Sequence, residues 1–290
     1  MRVISLGWGV QSWTLAAMAA LGELRVDAVL HADTYYEKTA TYAFIRRWQP
    51  WLEKQGLRLV TVGDEAQVAK VTTAETDMPA FTLSVAELTS VQRDSWFDDD
   101  DDGLRDDDLN EVGVTAKEGQ LRRQCTQRWK VEQMRRWLRA EFERAGVKRT
   151  AGCVISLMGI SLDEYERMKT SDVRWIVHEY PLIERRMTRA DCVGWLVRHG
   201  LEVPPKSACV FCPFQGKTSW QALKRGDPYG WSQAVAVDEA IRQVRPPREL
   251  FVHRKRIPLV DAVEIAEDHG AKQGELFDDD PGCESGHCFV

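Results

Sequence analysis

The chain has 290 residues, of which 43% are hydrophobic and 29% are charged, a composition typical of a folded globular protein rather than a disordered or fibrous one. The formal net charge of −6 argues against broad, nonspecific binding to nucleic-acid backbones. Because no signal-like or membrane-spanning apolar stretch is visible, we expect a cytoplasmic protein whose seven cysteines form a metal or redox site rather than disulfides.

The first part of the chain alternates short apolar runs with segments of helical length. Residues 2–6, 26–31 and 57–62 predict strands, and residues 12–21 and 39–54 predict the helices between them. Strands that alternate with helices form a parallel sheet through right-handed crossovers. The sequence therefore predicts an α/β fold with a doubly wound, mainly parallel sheet.

The pattern changes at about residue 82. Residues 82–118 hold two aspartate runs, which favour a solvated acidic surface insertion over a dedicated metal or partner site. Regular structure resumes with a helix at 127–145, a strand at 154–160 and a helix at 188–199, for which Thr188 is a suitable N-cap.

We divide the chain at residue 200. Residues 1–200 are predicted to form a nucleotide-binding α/β domain that carries the acidic insertion. Residues 201–290 are predicted to form a C-terminal extension with a Cys-x-x-Cys sequence, helices and a mobile cysteine-containing tail.

A turn with two glycines follows the first strand. Glycines allow backbone N–H groups to approach an anion closely, and the start of the next helix adds a favourable dipole. The turn lacks the Gly-Lys-Ser/Thr of a Walker loop and the third glycine of a dinucleotide site, and it is also consistent with a plain strand-to-helix connection. The ring of Trp8 is a candidate to stack on an adenine. The candidate phosphate-binding residues are Gly7, Trp8, Gly9, Val10, Gln11 and Ser12.

Polar side chains follow the second predicted strand. Asp33 and Thr34 fall at the carboxyl edge of the sheet, where open α/β sheets bind ligands. Either residue would also serve simply as the N-cap of the next helix.

Three motifs together resemble a known family. Residues 7–12 resemble the PP-loop Ser-Gly-Gly-x-Asp-Ser of ATP pyrophosphatases, and Asp33-Thr34 with Glu37 and Thr39 is similar to the Asp-Thr-Gly…Glu-Thr segment of phosphoadenylyl-sulfate (PAPS) reductases. Residues 159–167 are similar to the Gly-Ile-Arg-x-Asp-Glu/Gln-Ser-x-x-Arg of the same branch. The resemblance implies an adenine nucleotide alpha hydrolase-like sheet and further nucleotide-binding roles for Gly159, Asp163, Glu164 and Arg167.

The sequence departs from this family at three positions. Gln11 stands where ATP-cleaving members carry aspartate, which weakens the case for a bound Mg²⁺ because an amide is a poorer ligand for a hard cation. Trp8 replaces a loop glycine, and Ser161 replaces an arginine. We therefore expect adenine-nucleotide binding, whereas the loop does not by itself predict ATP cleavage.

A Cys-x-x-Cys-Pro sequence predicts a metal site or thiol redox chemistry. Resemblance to cluster-containing adenylyl-sulfate reductases implies that Cys125, Cys209 and Cys212 ligate an iron–sulfur cluster of the 4Fe-4S type. Its fourth position is taken by exogenous sulfide or by Cys283, Cys288 or His287. A structural zinc site or buried free thiols are the alternatives.

The C-terminal tail carries two candidate nucleophiles. Cys283 and Cys288 lie in a segment loosely similar to the Glu-Cys-Gly-Leu-His of sulfonucleotide reductases, and a thiolate beside a histidine is suited to attack sulfur. A spectator tail is the alternative. Cations that are candidates to bind phosphate or sulfate oxygens, or that simply aid solubility, are Lys130, Arg167, Arg185, Arg186 and Arg189.

The resemblance implies a PAPS reductase-like enzyme that binds ATP or an adenylyl-sulfate nucleotide. Nucleotide-activated sulfur transfer to an acceptor such as a nucleic acid is the leading expectation; reduction of adenylyl sulfate or PAPS to sulfite is the second. A metal-stabilised nucleotide-binding module without turnover is the third. The implied partners are a nucleic-acid acceptor, a thiol electron donor or sulfur donor protein, and a second copy of the chain in a homodimer, without a membrane.

Overall fold

The structure is a computed structural model that describes residues 1–87 and 114–264. Five parallel strands form the main sheet, which confirms the predicted doubly wound α/β fold. The strands within these residues are β1 (Arg2–Ser5), β2 (Ala28–Ala32), β3 (Leu59–Val62), β4 (Phe81–Glu87), β5 (Val114–Gln120), β6 (Val154–Leu157), β7 (Ile176–Glu179) and β8 (Arg248–Phe251). The main sheet has the order β3-β2-β1-β6-β7.

Helices cover both faces of the main sheet. Those described are α1 (Val10–Ala20), α2 (Thr39–Lys54), α3 (Glu65–Ala69), α4 (Glu132–Arg144), α5 (Pro181–Glu184), α6 (Arg189–Arg198), α7 (Lys217–Gly226), α8 (Pro228–Ile241) and α9 (Leu259–Glu264). Short 3₁₀ helices span Lys70–Thr72 and Leu162–Arg167, and a π-helical turn, Thr126–Val131, leads into α4.

The two faces bury separate cores because neighbouring strand residues point to opposite sides. Ile4 and Val29 pack with α1, α2 and α6 on one face, whereas Val3 and Leu30 pack with α4 on the other. Helix α6 begins as predicted, with a capping box at Thr188 that satisfies backbone N–H groups of its first turn.

A second sheet corrects the prediction for residues 82–118. Strands β4 and β5 at the two ends of this segment pair in antiparallel fashion, and β4 also pairs with β8. The predicted boundary at residue 200 therefore does not separate two independently paired sheets. The aspartate runs of the insertion and the C-terminal tail lie outside the described residues.

The strand order creates a crevice at one edge of the main sheet. The chain moves from β1 to β2 on one side, whereas β6 and β7 lie on the other side of β1. The loops after β1 and β6 therefore diverge at the carboxyl ends of these strands. Open α/β sheets bind their ligands at such a switch point.

No helix within residues 1–87 and 114–264 is both long and apolar enough to span a lipid bilayer.

Candidate functional site

The glycine turn after β1 places the start of α1 at the crevice. Gly9 is the N-cap of α1, and among the described residues no side chain caps the helix there. The Ser12 hydroxyl instead fixes the turn, since its Oγ accepts from Gly7 N at 3.2 Å and donates to Gly9 O at 3.3 Å. The N–H groups of the first helical turn have no intrahelical acceptors, so they suit an anion.

A cleft with a cavity volume of about 80 Å³ lies against this turn. A Cβ added to Gly9 would meet no described heavy atom within 4 Å, so the space above the turn is free for a ligand. The cleft is lined by most of the predicted phosphate-binding and nucleotide-binding residues, namely Gly7, Gly9, Val10, Gln11, Ser12, Gly159, Glu164 and Arg167.

Trp8 is the exception within the turn. Its side chain is fully buried, stacks on Trp13 with 5.7 Å between ring centroids, and meets the edge of Phe44. Its backbone φ of 57° lies in the left-handed region that normally favours glycine. The suggestion that Trp8 stacks on adenine is therefore corrected, because this backbone turns the indole into the core.

Gly159 brings the end of β6 against the start of α1. A Cβ there would lie 2.7 Å from Ser12 N and 2.8 Å from Ser12 Cα, closer than real Cβ contacts allow. Only glycine lets these two backbones approach so closely, and their approach forms the wall of the cleft.

Charged side chains close the cleft opposite the glycine turn. Gln11 Nε2 donates to Glu164 Oε2 at 3.0 Å, and Gln11 Oε1 accepts from Arg189 at 3.3 Å. Arg167 pairs with Glu164 at 2.5 Å. The guanidinium groups of Arg167 and Arg189 outnumber the Glu164 carboxylate, so the net charge of this wall is positive and favours an anionic ligand.

Other predicted residues have different surroundings. Asp33 accepts from Tyr35 N and from the Tyr42 hydroxyl, both at 2.8 Å, so it fixes the loop after β2. Burial and this hydrogen bond raise the pKa of Tyr42. Asp163 is exposed and accepts from Arg189 N at 3.0 Å, which makes it a support for α6 rather than part of the cleft lining. Arg185 pairs with Glu23 elsewhere on the surface.

Three cysteines from distant parts of the chain share a second pocket, which we call the thiol pocket. Its cavity volume is about 40 Å³, and it is lined by Cys125, Cys209 and Cys212. Thr34 and Lys130 also line it, and its remaining walls are largely apolar: Met78, Pro79, Trp129, Phe211, Pro213 and Phe214.

Buried Asp77 holds Cys125 in place, a role that no sequence pattern indicates. Its backbone oxygen accepts from Gln124 N at 3.0 Å and from Cys125 N at 2.9 Å. Asp77 is only 3% exposed, and its carboxylate accepts from Trp129 Nε1 at 3.2 Å and pairs with Arg128 at 3.2 Å. The segment that carries Cys125 is thus anchored on both sides of the thiol.

A tight turn holds the other two thiols. Cys212 N donates to Cys209 O at 3.0 Å, and Gln215 Nε2 donates to Val210 O at 2.9 Å within the same turn. Val210 N in turn donates to Tyr36 O at 2.8 Å. The Cys-x-x-Cys segment is therefore tied to the loop after β2, beside the carboxyl edge of the sheet.

Buried polar groups surround the Cys209 thiol. Thr34 Oγ1 lies 3.2 Å from Cys209 Sγ, and Glu37, which is 4% exposed, pairs with Lys130 at 3.8 Å. Burial and, next, the Glu37 charge raise the pKa of Cys209, and burial raises the pKa of Cys212. Both thiols are therefore protonated at neutral pH unless a bound cation stabilises the thiolates.

Ser207 joins the two sites. It lines both the glycine-turn cleft and the thiol pocket, and its Oγ donates to Glu37 Oε2 at 3.2 Å. The cleft and the thiols are therefore neighbours at one edge of the sheet.

The thiol pocket offers three sulfur ligands, Cys125, Cys209 and Cys212. Within residues 1–87 and 114–264, no group of three or more His, Cys, Asp or Glu side chains is arranged to hold a metal ion. Cys283, His287 and Cys288 lie outside the described residues.

No protein-family model matches the chain, and the search of curated proteins found no match.

Proposed function

We propose that this protein is a PAPS reductase-like, adenine-nucleotide-binding enzyme of sulfur metabolism, which uses the nucleotide to activate an acceptor and then transfers sulfur to it. The observation that carries the proposal is the position of Ser207, which borders both the glycine-turn cleft and the thiol pocket. A phosphate held at Gly9 is then a neighbour of the thiols.

The cleft residues would bind and orient the polyphosphate. The first-turn N–H groups of α1 would donate hydrogen bonds to phosphate oxygens, and Arg167 and Arg189 would balance the negative charge from the opposite wall. Glu164 is the carboxylate of the cleft and would hold Mg²⁺ with the phosphates. Gln11 supplies an amide where related loops carry a second carboxylate, so the Mg²⁺ site has one charged protein ligand fewer.

The thiol pocket would hold a 4Fe-4S cluster through Cys125, Cys209 and Cys212. When bound, such a cluster offers an iron without a cysteine ligand, where sulfide or another small ligand can attach. The apolar walls exclude water from this position, and Lys130 supplies a positive charge near Cys209. A structural zinc site is the alternative, because thiolates also bind Zn²⁺.

The overall reaction balances without a net redox change. An acceptor oxygen takes the adenylyl group from ATP and pyrophosphate leaves. Sulfide then forms the new carbon–sulfur bond, and AMP leaves with the acceptor oxygen. A nucleic-acid base with a carbonyl oxygen suits this chemistry, and a sulfur donor protein would resupply the sulfide.

Two other functions use the same geometry. Reduction of adenylyl sulfate or PAPS to sulfite would need a nucleophilic tail thiol, Cys283 or Cys288, and a thiol electron donor. A nucleotide-binding module without turnover is favoured by Gln11 alone, because an amide replaces the acidic residue of ATP-cleaving loops.

The first experiment measures the metal. Anaerobically purified protein should be brown and contain iron and acid-labile sulfide. Cys125→Ser, Cys209→Ser and Cys212→Ser should each lose most of the iron, whereas the matched control Cys153→Ser, at a cysteine outside the thiol pocket, should keep it. Colourless protein with stoichiometric zinc would refute the cluster.

The second experiment measures the reaction. Pyrophosphate release from ATP that depends on an added RNA or DNA acceptor supports sulfur transfer. Sulfite production from adenylyl sulfate or PAPS identifies a reductase instead. Nucleotide binding without either product, in protein with an intact cluster, identifies the module without turnover.

A further inference from the structure

Helix α7 presents a cationic face to solvent. Five of its polar side chains, all exposed or half-buried, lie at the first, second, fifth, eighth and ninth positions of the helix and therefore share one side of it. We call them the basic face: Lys217, Thr218, Gln221, Lys224 and Arg225. Trp220 and Leu223 are buried on the opposite side, so packing fixes the basic face toward solvent.

The basic face lies in a segment without acidic residues. Residues 203–226 contain four Lys or Arg and no Asp or Glu, although the whole chain has a net charge of −6. The next acidic residue, Asp227, accepts from Gly230 N at 2.9 Å and from Thr39 N at 2.8 Å, so it caps α8 and α2. Because charges more than about 10 Å apart are largely screened at physiological salt, this local positive charge decides what binds here.

Hydrogen bonds connect the start of α7 to the thiol pocket. Ser219 Oγ donates to Gln215 Oε1 at 3.1 Å, and Gln215 Nε2 donates to Val210 O at 2.9 Å inside the Cys-x-x-Cys turn. Lys38, from the loop after β2, donates to Ser219 Oγ at 3.3 Å. The basic face is therefore held beside the turn that carries two of the three thiols.

Aromatic side chains adjoin the basic face at the corner between α7 and α8. The ammonium nitrogen of Lys224 lies 5.4 Å from the ring centroid of Trp231. Tyr229, four residues after Arg225, is 68% exposed. An exposed ring beside cations is typical of surfaces that bind single-stranded nucleic acid, on which bases stack without regard to sequence. A lipid-binding helix would instead expose an apolar face.

The spacing of the cations fits a polynucleotide backbone. Lys217 and Arg225 are eight residues apart, which corresponds to about 12 Å along the helix axis. Phosphates of one strand follow one another about every 3.4 Å along a duplex axis, so the basic face spans roughly three or four of them.

We propose that the basic face binds the backbone of the nucleic-acid acceptor, an inference that rests on the proposed function. Lys217, Lys224 and Arg225 contact phosphates, and Tyr229 stacks on a base at the far end of the helix. The strand then passes the start of α7 and brings a neighbouring base to the thiol pocket. The basic face does not line the glycine-turn cleft, so a nucleotide and the acceptor can be bound together.

The experiment measures binding of a fluorescent single-stranded RNA of about 20 nucleotides, longer than the basic face covers, by anisotropy at several salt concentrations. The variant removes three charges: Lys217→Gln, Lys224→Gln and Arg225→Gln. Its Kd should rise at least about tenfold at 0.1 M salt, and the slope of log K against log salt should fall by about 2, because each phosphate contact contributes about 0.7. The matched control removes the same charge at exposed positions outside α7 and should bind like the wild type: Arg46→Gln, Lys54→Gln and Lys148→Gln.

Further variants keep the test decisive if the loss of three charges disturbs folding. The charge-conserving triple variant Lys217→Arg, Lys224→Arg and Arg225→Lys should keep the affinity for RNA. Tyr229→Ala should raise the Kd about fivefold or more without changing the salt slope, because stacking on the ring involves no phosphate. Tyr229→Phe retains the ring and should bind like the wild type.

Lysine acetylation of the wild-type protein tests the surface without any substitution. Bound RNA should protect Lys217 and Lys224 from acetylation and leave Lys54 and Lys148 reactive, as measured by mass spectrometry. Protection of all four lysines, or of none, contradicts binding at the basic face.

The outcomes separate this site from the proposed function. Equal RNA affinities of the triple Gln variant and its control, or wild-type protein that binds neither RNA nor DNA, overturn the basic face as the acceptor site. Equal affinity of the wild type for polyglutamate and RNA also overturns it, because the partner is then an acidic protein. These results leave the iron content and nucleotide binding unaffected. Protein that binds RNA at the basic face but holds neither iron nor a nucleotide supports the surface and refutes the proposed function.

Discussion

The glycine-turn cleft and the thiol pocket meet at Ser207, but the cleft has a polar, charged lining and the thiol pocket has a largely apolar one. The cleft is open and is lined by backbone N–H groups, arginines and a carboxylate. The thiol pocket is lined largely by apolar side chains, and burial raises the pKa values of Cys209 and Cys212. The cleft is therefore suited to a hydrated polyanion, and the thiol pocket is suited to a group that binds thiolates away from water.

The difference would let one sheet edge keep the two proposed chemistries apart. A charged nucleotide gains nothing in the apolar pocket, and a thiolate metal centre would be exposed to water in the cleft. Each region should therefore respond to different substitutions. Four variants test this, ranked by the expected loss in free energy of unfolding.

Asp77→Ala should have the largest effect, because it removes a buried carboxylate beside the thiol pocket, although the backbone oxygen that accepts from Cys125 N remains. The buried Trp129 Nε1 loses its acceptor and Arg128 loses its partner, so we expect a loss of about 3 kcal/mol in the free energy of unfolding, measured by urea denaturation. Glu75→Ala removes a nearby exposed ion pair with Lys70 and serves as the control, with little change expected. Equal losses in the two variants would contradict this role for Asp77.

Gly159→Ala should come next, and it tests the wall of the cleft. The added methyl group meets the backbone of Ser12, which cannot move without displacing α1, so we expect a loss of about 2 kcal/mol from overpacking. Gly226→Ala is the control, because a Cβ there meets no described atom within 4 Å. Thermal or urea unfolding compares the stability of the two variants. If Gly159→Ala is as stable as Gly226→Ala, the end of β6 and the start of α1 are not packed tightly together.

Gln11→Asp should cost less, about 1 kcal/mol at neutral pH, because a hydrogen bond to Glu164 becomes a contact between like charges. The repulsion raises the pKa of one of the two carboxyls, so the loss is present above that pKa and disappears as the pH falls below it. Added Mg²⁺ should also restore stability, more than it stabilises the wild type. Gln11→Leu removes the hydrogen bond without adding a charge, so neither a lower pH nor added Mg²⁺ should restore its stability. A loss of stability in Gln11→Asp that does not depend on pH would refute charge repulsion as the cause.

Gly9→Ala should have the smallest effect on stability, at most about 1 kcal/mol, since Gly9 is an N-cap with an extended backbone that alanine adopts. Its methyl group enters the open space of the cleft, so the Kd for ATP should rise about tenfold, measured by isothermal titration. Thr61→Phe, at an exposed position of β3 that does not line the cleft, controls for nonspecific effects. Normal ATP affinity in Gly9→Ala would place the phosphates elsewhere.

Local patterns predicted much of the fold. Helices α4 and α6 followed from apolar spacing and the Thr188 cap, both of which act within a few residues. Strand β7 was not predicted, because Ile176–Glu179 has only four residues and no clear alternation. Pairing of β4 with β8 joins positions about 170 residues apart in sequence, which no local signal encodes.

The site was predictable where chemistry depends on residue type, and less so where it depends on backbone shape. The glycines and cysteines were candidates from sequence, and the resemblance to reductases linked Cys125 to the later pair. Asp77 gave no signal because its role arises from contacts with distant residues. Asp33 and Asp163 stand at family positions, but in the structure they support loops and helix ends.

The left-handed backbone at Trp8 has a consequence for how the cleft meets its ligand. A glycine there would leave the turn free to sample many shapes, and binding would have to freeze one of them. With an indole locked among Trp13 and Phe44, the turn is already rigid before a ligand arrives. The entropy of ordering the loop is thus lost during folding, and association at this edge should be fast and need no closing movement of the turn.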